Sequence, residues 1–535
     1  MAFELQNLLT AYKKAKREVF HQNLHLSIRY FIEYEKNLIP NLEKLMISLN
    51  NRNVKPSKEP KDKHEYFIIV KGINYSKDCE DTMVVSNSKK RWDILKERVA
   101  SIDFRIIPDL GAEIHIISSL WVDFYGKYLE SDLSSNCYGS RVANIKSSIN
   151  HFKPYVHDYR AWQQNGINVI RENFKNRKNV IAITADFNSF YHHIDPDFLS
   201  SLDEQYSTAL KVNITEDGVY LNKVLRDLLI KWSFNVNLSI SNEFKLQFRN
   251  RGHVGIPIGL SASKVIANLV LAKFDKKVEE ELSPAYFGRY VDDIFIVLND
   301  NAKLGSRDNI WNFISKRVQG LTLEKNGVVT YEDEYTANSS LEFNTKKERI
   351  FMLDQFGGEE IVKEIEDELK KNSSEWRFIP EADNDLERLS EDVTFSEGNQ
   401  KEGINSLRKA NKISIKRLKF ANYLNKLEEI VRTHPESFWK NEVKKLVYFV
   451  KTFAISPDVL YEYIQYIPRV LQLVIYTENY KLYWELSEML RHSVSSLKNL
   501  NNSSDYSEEL KRLEAYINII IETSIFSGLK IKSAK

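Results

Sequence analysis

Cysteine is almost missing from this chain: Cys79 and Cys137 are the only two in 535 residues. Two thiols make neither a disulfide framework nor a CxxC metal pair, which points to a reducing, cytosolic setting. No uncharged apolar run reaches the length of a membrane span, and the greasiest stretch, AYINIIIETSIFSGLKI, is interrupted by Glu522. The opening MAFELQNLLTAYKKAKREVF carries charges every few residues and has no signal-peptide core. Excess charge is lacking too, at +2 with a pI near 8.1. Nucleic acid would therefore have to be met by local basic patches. No Cys or His spacing supports a zinc site, and the adjacent His192 and His193 read as packing residues. These absences predict a soluble cytoplasmic protein without a membrane partner.

What is present is a globular composition, 42% hydrophobic and 28% charged, with length for two to four domains. Residues 1–50 read as helical. A basic, Pro-containing loop (50–63) leads to the strand candidate YFIIVKGINY. From about 92 to 350, strand-like and helical runs alternate. NVIAIT (179–184) and DIFIVL (293–298) are short, β-branched and apolar, as buried strands are, and 261–282 between them is a long helical pattern. Residues 353–412 turn acidic and rich in Ser, Asn and Gly. After about 413 the pattern is helical throughout, with Val443, Leu446, Val447 and Val450 at i, i+3, i+4, i+7. Helices recur about every twenty residues, compatible with HEAT-like stacking or with an irregular bundle.

One stretch stands out chemically. FGRYVDDIFIVLND (287–300) sets two carboxylates, Asp292 and Asp293, inside an apolar run, where charge is costly unless paired or metal-bound. A straight strand would point them to opposite faces, whereas the tip of a β-hairpin could present both. By itself the pair also suits an ordinary turn. Asp186 closes the apolar run 179–185, where it suits either a helix N-cap or a carboxylate delivered to an open edge. Three acidic groups on adjacent strands would favour a hard cation such as Mg²⁺.

Three segments, TADFNSFYHHI, GIPIGLSASKVIANLVL and RYVDDIFIV, resemble in order and spacing the catalytic motifs of reverse transcriptases. The resemblance covers about residues 100–350. It implies an α+β right-hand polymerase, with fingers and palm followed by an all-α, HEAT-like C-terminal domain in place of a thumb. The parts expected are an N-terminal helical and fingers region (1–110), fingers and palm (111–352), an acidic connector (353–412) and the helical domain (413–535). It also implies catalysis by Asp186, Asp292 and Asp293, with the Phe187 carbonyl joining them around two Mg²⁺ ions, or Mn²⁺ in their place. Tyr191 matches the steric gate against a 2′-hydroxyl. Gly255, Pro257, Gly259 and Ser263 match the nucleotide pocket, Arg141 in NCYGSRV a triphosphate ligand, and Arg105 in RIIP a second fingers position. Lys347, or Lys346 beside it, matches the lysine near the departing pyrophosphate.

Two departures accompany the match, one in architecture, where an acidic connector and helices follow instead of a recognisable thumb, RNase H or endonuclease, and one in the motifs. Ile258 stands where templated members usually carry Gln, and Lys264 where Pro usually follows the serine. With AYKKAKREVF (11–20) and the helical C-terminus, these look like the abortive-infection reverse transcriptases of bacteria, the AbiK-like, prophage-encoded kind. That likeness implies antiphage defence, a homo-oligomer, and template-free polymerisation of dNTPs into single-stranded DNA attached covalently to a protein hydroxyl. Tyr12, in the matching stretch, is the candidate primer. The alternatives are a templated enzyme of retron or intron type, and a polymerase-fold scaffold without chemistry.

Overall fold

The protein was analysed as a computed structural model. It describes residues 3–22, 25–54, 65–76, 87–143, 150–202, 214–241, 244, 252–300, 304–339, 341–345, 347–354, 362–363, 394–396, 413–415, 417–500 and 506–533. Most of the acidic connector, Lys346 and Cys79 lie outside these residues.

Along the chain come α1 (Leu5–His21), α2 (His25–Glu35), α3 (Leu38–Asn50), β1 (Tyr66–Tyr75), α4 (Ser88–Leu95) and β2 (Val99–Pro108). Next are α5 (Ala112–Phe124), α6 (Tyr155–Lys175), β3 (Val180–Asp186), α7 (Phe190–His193), α8 (Glu216–Ser239), α9 (Ser261–Val270) and α10 (Ala272–Lys277). A π-helical turn, Val278–Leu282, leads into β4 (Tyr286–Tyr290) and β5 (Asp293–Asn299). Then follow α11 (Arg307–Ser315), β6 (Leu321–Leu323), β7 (Val329–Tyr331), β8 (Leu341–Glu342) and β9 (Arg349–Leu353). The last elements are β10 (Thr394–Ser396), β11 (Ile413–Ile415), α12 (Arg417–Thr433), α13 (Glu436–Phe453), α14 (Pro457–Tyr463), α15 (Ile467–Tyr476), α16 (Tyr480–Leu497) and α17 (Ser507–Ser533).

They form two units that are not contiguous in sequence. One comprises residues 1–65, 110–239 and 245–373, the other 66–109, 240–244 and 374–535. The first is built on a four-stranded antiparallel sheet in the order β4-β5-β3-β9. The middle strands, β3 and β5, are the near-continuous apolar runs, because both of their faces are covered. Alternation along β4 and β5 sends Phe295 to one face with α6 and Phe287 to the other, where Phe274 of α10 meets it edge-on at 6.2 Å. The helical pattern over 261–282 is present but breaks at Leu271 into α9, α10 and the π-turn.

Helices α1, α5 and α9 are joined in this unit by largely buried polar groups. Lys14 Nζ donates to Asp123 at 2.6 Å, and Lys264 to Glu18 at 2.8 Å. Ser119 Oγ and His151 Nε2 lie 2.6 Å apart, with His151 Nδ1 3.5 Å from Asp123. The order of groups imitates a hydrolase triad, but Ser119 is completely buried, so no substrate reaches it. The array is a structural tie.

The second unit is the C-terminal helical region together with the β1–β2 hairpin, which packs on α14 and α17. Pro435 stands at the N-cap of α13, and Pro457 and Pro468 in the first turns of α14 and α15. A missing N–H costs nothing there. Val443, Leu446, Val447 and Val450 form the buried stripe of α13. Arg91 on α4 pairs with Asp458 at 2.7 Å, and Arg469 pairs with Glu428 at 2.7 Å. No helix among the described residues is long and apolar enough to cross a membrane.

Burial lowers His115 to a pKa of about 3 and His151 to about 4, the latter against the pull of Asp123. Both are neutral when folded, while the unfolded chain takes up their protons as pH falls through 6.5. Stability is therefore lost between pH 6.5 and about 4. The melting temperature should drop by roughly 5 °C from pH 7 to pH 5 in low salt. A flat profile in circular dichroism would refute neutral burial of both imidazoles.

Candidate active site

The site is built where the central strands end. Strand β3 pairs with β5 in a register that opposes Ala182 to Val297 and, at the last step, Asp186 to Asp293. Strands β4 and β5 are joined by a two-residue turn, Val291–Asp292, with Tyr290 opposite Asp293. The adjacent carboxylates therefore do sit at a hairpin tip. Asp293 is exposed, Asp292 half-buried and Asp186 buried. The Asp292 carbonyl accepts from Phe187 N at 3.4 Å, which ties the turn to the residue after Asp186.

Lys347 Nζ donates to Asp186 Oδ2 at 2.7 Å. Its desolvation favours the neutral amine, but the Asp186 hydrogen bond and the charges of Asp186, Asp293 and Asp292 outweigh it and hold the pKa above the ordinary lysine value. All three carboxylates thus act on one ammonium. Asp186 Oδ1 is buried with no hydrogen-bond partner, an expensive state for a carboxylate oxygen.

Beside this edge, Tyr191 is half-buried in α7, and its carbonyl accepts from Ile256 N at 2.9 Å. Burial, then the charge of Asp292, raises the phenol pKa and keeps it neutral. Gly255 makes the contact with α7 possible. It has φ 55°, and a Cβ there would lie 2.2 Å from the Tyr191 carbonyl oxygen and 2.4 Å from the His192 carbonyl carbon. Gly259 is also left-handed at φ 102°, and Ile258 between them is exposed.

A second layer lies behind the hairpin. Arg289 of β4 and Asp275 of α10 are both completely buried and form a bidentate pair, Nε to Oδ1 and Nη2 to Oδ2, each 2.6 Å. Burial works against the guanidinium's charge, but Asp275 above all, with Cys137 and Asp292, outweighs it and holds the pKa above the ordinary arginine value. Arg289 Nη1 donates to the Val291 carbonyl at 2.7 Å and to Asn268 Oδ1 at 3.2 Å, while Nη2 donates to the Asn268 carbonyl at 3.3 Å and lies 3.3 Å from Cys137 Sγ. Asn268 Nδ2 in turn donates to the Gly139 carbonyl at 2.7 Å. Residues 136–138 run beside β4, with Arg289 N donating to Asn136 O and Tyr138 N to Arg289 O.

Carboxylates gathered at one sheet end can attract a hard cation, and the lysine among them can meet an anionic group. Residues 136–379 match the sequence model of the family described as reverse transcriptase (RNA-dependent DNA polymerase). The chain carries a reverse-transcriptase domain. It is thus a nucleotidyltransferase of RNA-directed DNA polymerase type, a class generally dependent on a divalent metal, typically Mg²⁺. No curated protein matches the chain.

Within the reverse-transcriptase domain, the residues expected around the metal and sugar, Asp186, Phe187, Asp292, Asp293 and Tyr191, lie on consecutive pieces of one sheet end and the adjoining α7. Among the described residues no three His, Cys, Asp or Glu side chains already form a metal cage. The donor set nevertheless suits a hard cation, since its members are carboxylates and one buried oxygen is without a partner. Other expected residues are placed differently. Arg141 is engaged by its own loop, with Nε on Glu130 and Nη1 on the Ser134 and Cys137 carbonyls at 2.9 and 2.6 Å. A triphosphate would have to displace Glu130. Ser263 is completely buried in α9, a packing position rather than a ligand surface. Tyr12 is buried in α1 with its hydroxyl donating to Glu35, so priming from it would require α1 and α2 to separate. Arg105 belongs to the other unit. The Arg289–Asp275–Asn268 layer was missed. A lone arginine inside the apolar run FGRYV was the available signal, because a buried arginine demands a buried acid.

Gly255→Ala should cost more than about 2 kcal/mol, from left-handed strain plus the clash with the α7 backbone. Urea unfolding of the variant measures it. An unchanged midpoint would mean that the loop is not seated on Tyr191.

Proposed function

We propose that the protein polymerises deoxynucleotides without a template, primed by a protein hydroxyl, as an abortive-infection enzyme acting against phage. The observation that carries its chemistry is the Asp186–Asp293 register with Asp292 at the hairpin tip, three carboxylates around one lysine. Asp186, Asp292, Asp293 and the Phe187 carbonyl would hold divalent cations, which supply Lewis-acid activation of the attacking hydroxyl and charge neutralisation at the phosphates.

The chain's own residues do the rest. A bond forms between the attacking hydroxyl oxygen and the α-phosphorus, the hydroxyl proton passes to solvent, and the bond to the bridging oxygen breaks, releasing pyrophosphate. Lys347, held protonated, neutralises and can protonate the leaving group. To do so it would leave Asp186, for which an entering divalent cation competes. Tyr191, its backbone fixed by Ile256, presents a neutral ring to the sugar and excludes a 2′-hydroxyl by contact. Gly259 lets the loop backbone approach the nucleotide. The exposed Ile258, an apolar group where a template-reading amide would be expected, supports the template-free reading. Ser263 supports the pocket from behind, and Arg141 would serve phosphate only after leaving Glu130. Homo-oligomerisation and attachment of the single-stranded product belong to the same proposal.

Purified, nuclease-treated protein incubated with Mg²⁺ and labelled dNTPs should itself become labelled on a denaturing gel. The label should disappear in Asp292→Asn/Asp293→Asn. Label that appears only after RNA and primer are supplied would establish a templated enzyme instead. Tyr191→Ala should raise ribonucleotide use relative to dNTPs by about 10- to 200-fold, the scale of steric selection in a pocket, measured by competition. Unchanged selectivity would remove Tyr191 from the sugar site.

A further inference from the structure

Val291 carries a β-branched side chain at φ 61°, a left-handed conformation that such residues rarely adopt. It is the residue immediately before Asp292 and half of the two-residue turn. Something must hold it there, and two contacts do. Its carbonyl accepts from the buried Arg289 guanidinium at 2.7 Å. Gly139 lies so close that an added Cβ would come within 2.7 Å of both Val291 N and Cγ2. Gly139 is fixed by Asn268, and Asn268 and Asp275 fix Arg289.

We infer that Arg289, Asn268 and Gly139 form a clamp that holds the Val291–Asp292 turn in its strained form and so positions the Asp292 carboxylate. The inference rests on the catalytic role proposed above for Asp292. Arg289 and Asn268 touch no reacting atom and are positioning residues. Their polar atoms are spent on the turn and its supports, beyond what tying β4 to α10 requires: Asp275 alone would satisfy the Arg289 charge. The Val291 carbonyl is an additional acceptor, and the chain places it by a backbone strain that glycine would avoid.

The test is a suppressor experiment. Arg289→Lys cannot reproduce the bidentate pair together with the carbonyl contact. It should lower kcat for dNTP incorporation by about 10- to 100-fold, the usual effect of losing an outer-shell support, with KM little changed. Val291→Gly in that background should recover at least a substantial part of the loss, because glycine adopts the turn unaided. Asn268→Ala leaves the Arg289–Asp275 pair intact and guards against a variant that does not fold. It should show the same suppressible loss. Amide exchange of the substrate-free protein should be faster in residues 289–293 of both single variants and unchanged in β3. If Val291→Gly suppresses neither variant, or exchange rises equally across the whole sheet, the residues are merely structural and the clamp is wrong. Wild-type protein that incorporates nothing would overturn the functional reading, while the exchange pattern would still decide whether the clamp holds the turn.

Discussion

The buried pair between Arg289 and Asp275 is the interaction on which the carboxylate-bearing end of the first unit's sheet depends. Two ions taken wholly out of water are stable only when their remaining polar atoms are satisfied. Here each remaining N–H is directed at a part of the site: the Val291 carbonyl at the turn, Asn268 on α9, and the Cys137 sulfur beside β4. Removing either ion would strand the other in a dry interior, typically a loss of about 3–5 kcal/mol. Strand β4, helices α9 and α10 and the segment 136–139 are therefore tied to one another.

The same economy governs the front of the sheet. Strands β3 and β5 are apolar because they are central, and the polar residues appear only where the strands run out, at Asp186 and Asp293. An antiparallel register with a two-residue turn leaves no slack, since a slip by one residue would carry Asp293 to the opposite face. Lys347 answers the charge thus gathered. Because its pKa is raised by the carboxylates, it stays cationic at neutral pH. A divalent ion entering the site would compete with it for Asp186.

In the helical unit, ion pairs link the helices, Arg91 of α4 with Asp458 of α14 and Arg469 of α15 with Glu428 of α12. The β1–β2 hairpin is drawn into this unit because YFIIV offers five consecutive buried residues. Those residues need a partner on both faces, and α14 and α17 provide apolar surface.

Element type was legible in the sequence for β1, β3, β5 and the long helices, but not for β11, a strand that pairs with β10 where the pattern after about 413 reads as helical. Buried strands show as short β-branched runs and helices as 3.6-residue stripes, because burial dictates those periods locally. The carboxylates were legible for the same reason, since charge inside an apolar strand is costly without a partner. The break at Leu271 was not legible, nor was the hairpin's membership of the C-terminal unit, because both depend on neighbours distant in the chain. Tertiary structure alone decided which polar groups are free to act. It took Arg141 into a loop with Glu130, Ser263 into the core and Tyr12 onto Glu35. It also made Arg289, in sequence only a lone arginine inside an apolar run, the centre of the support. A residue's chemistry is written in its type, but its availability is set by what folds against it.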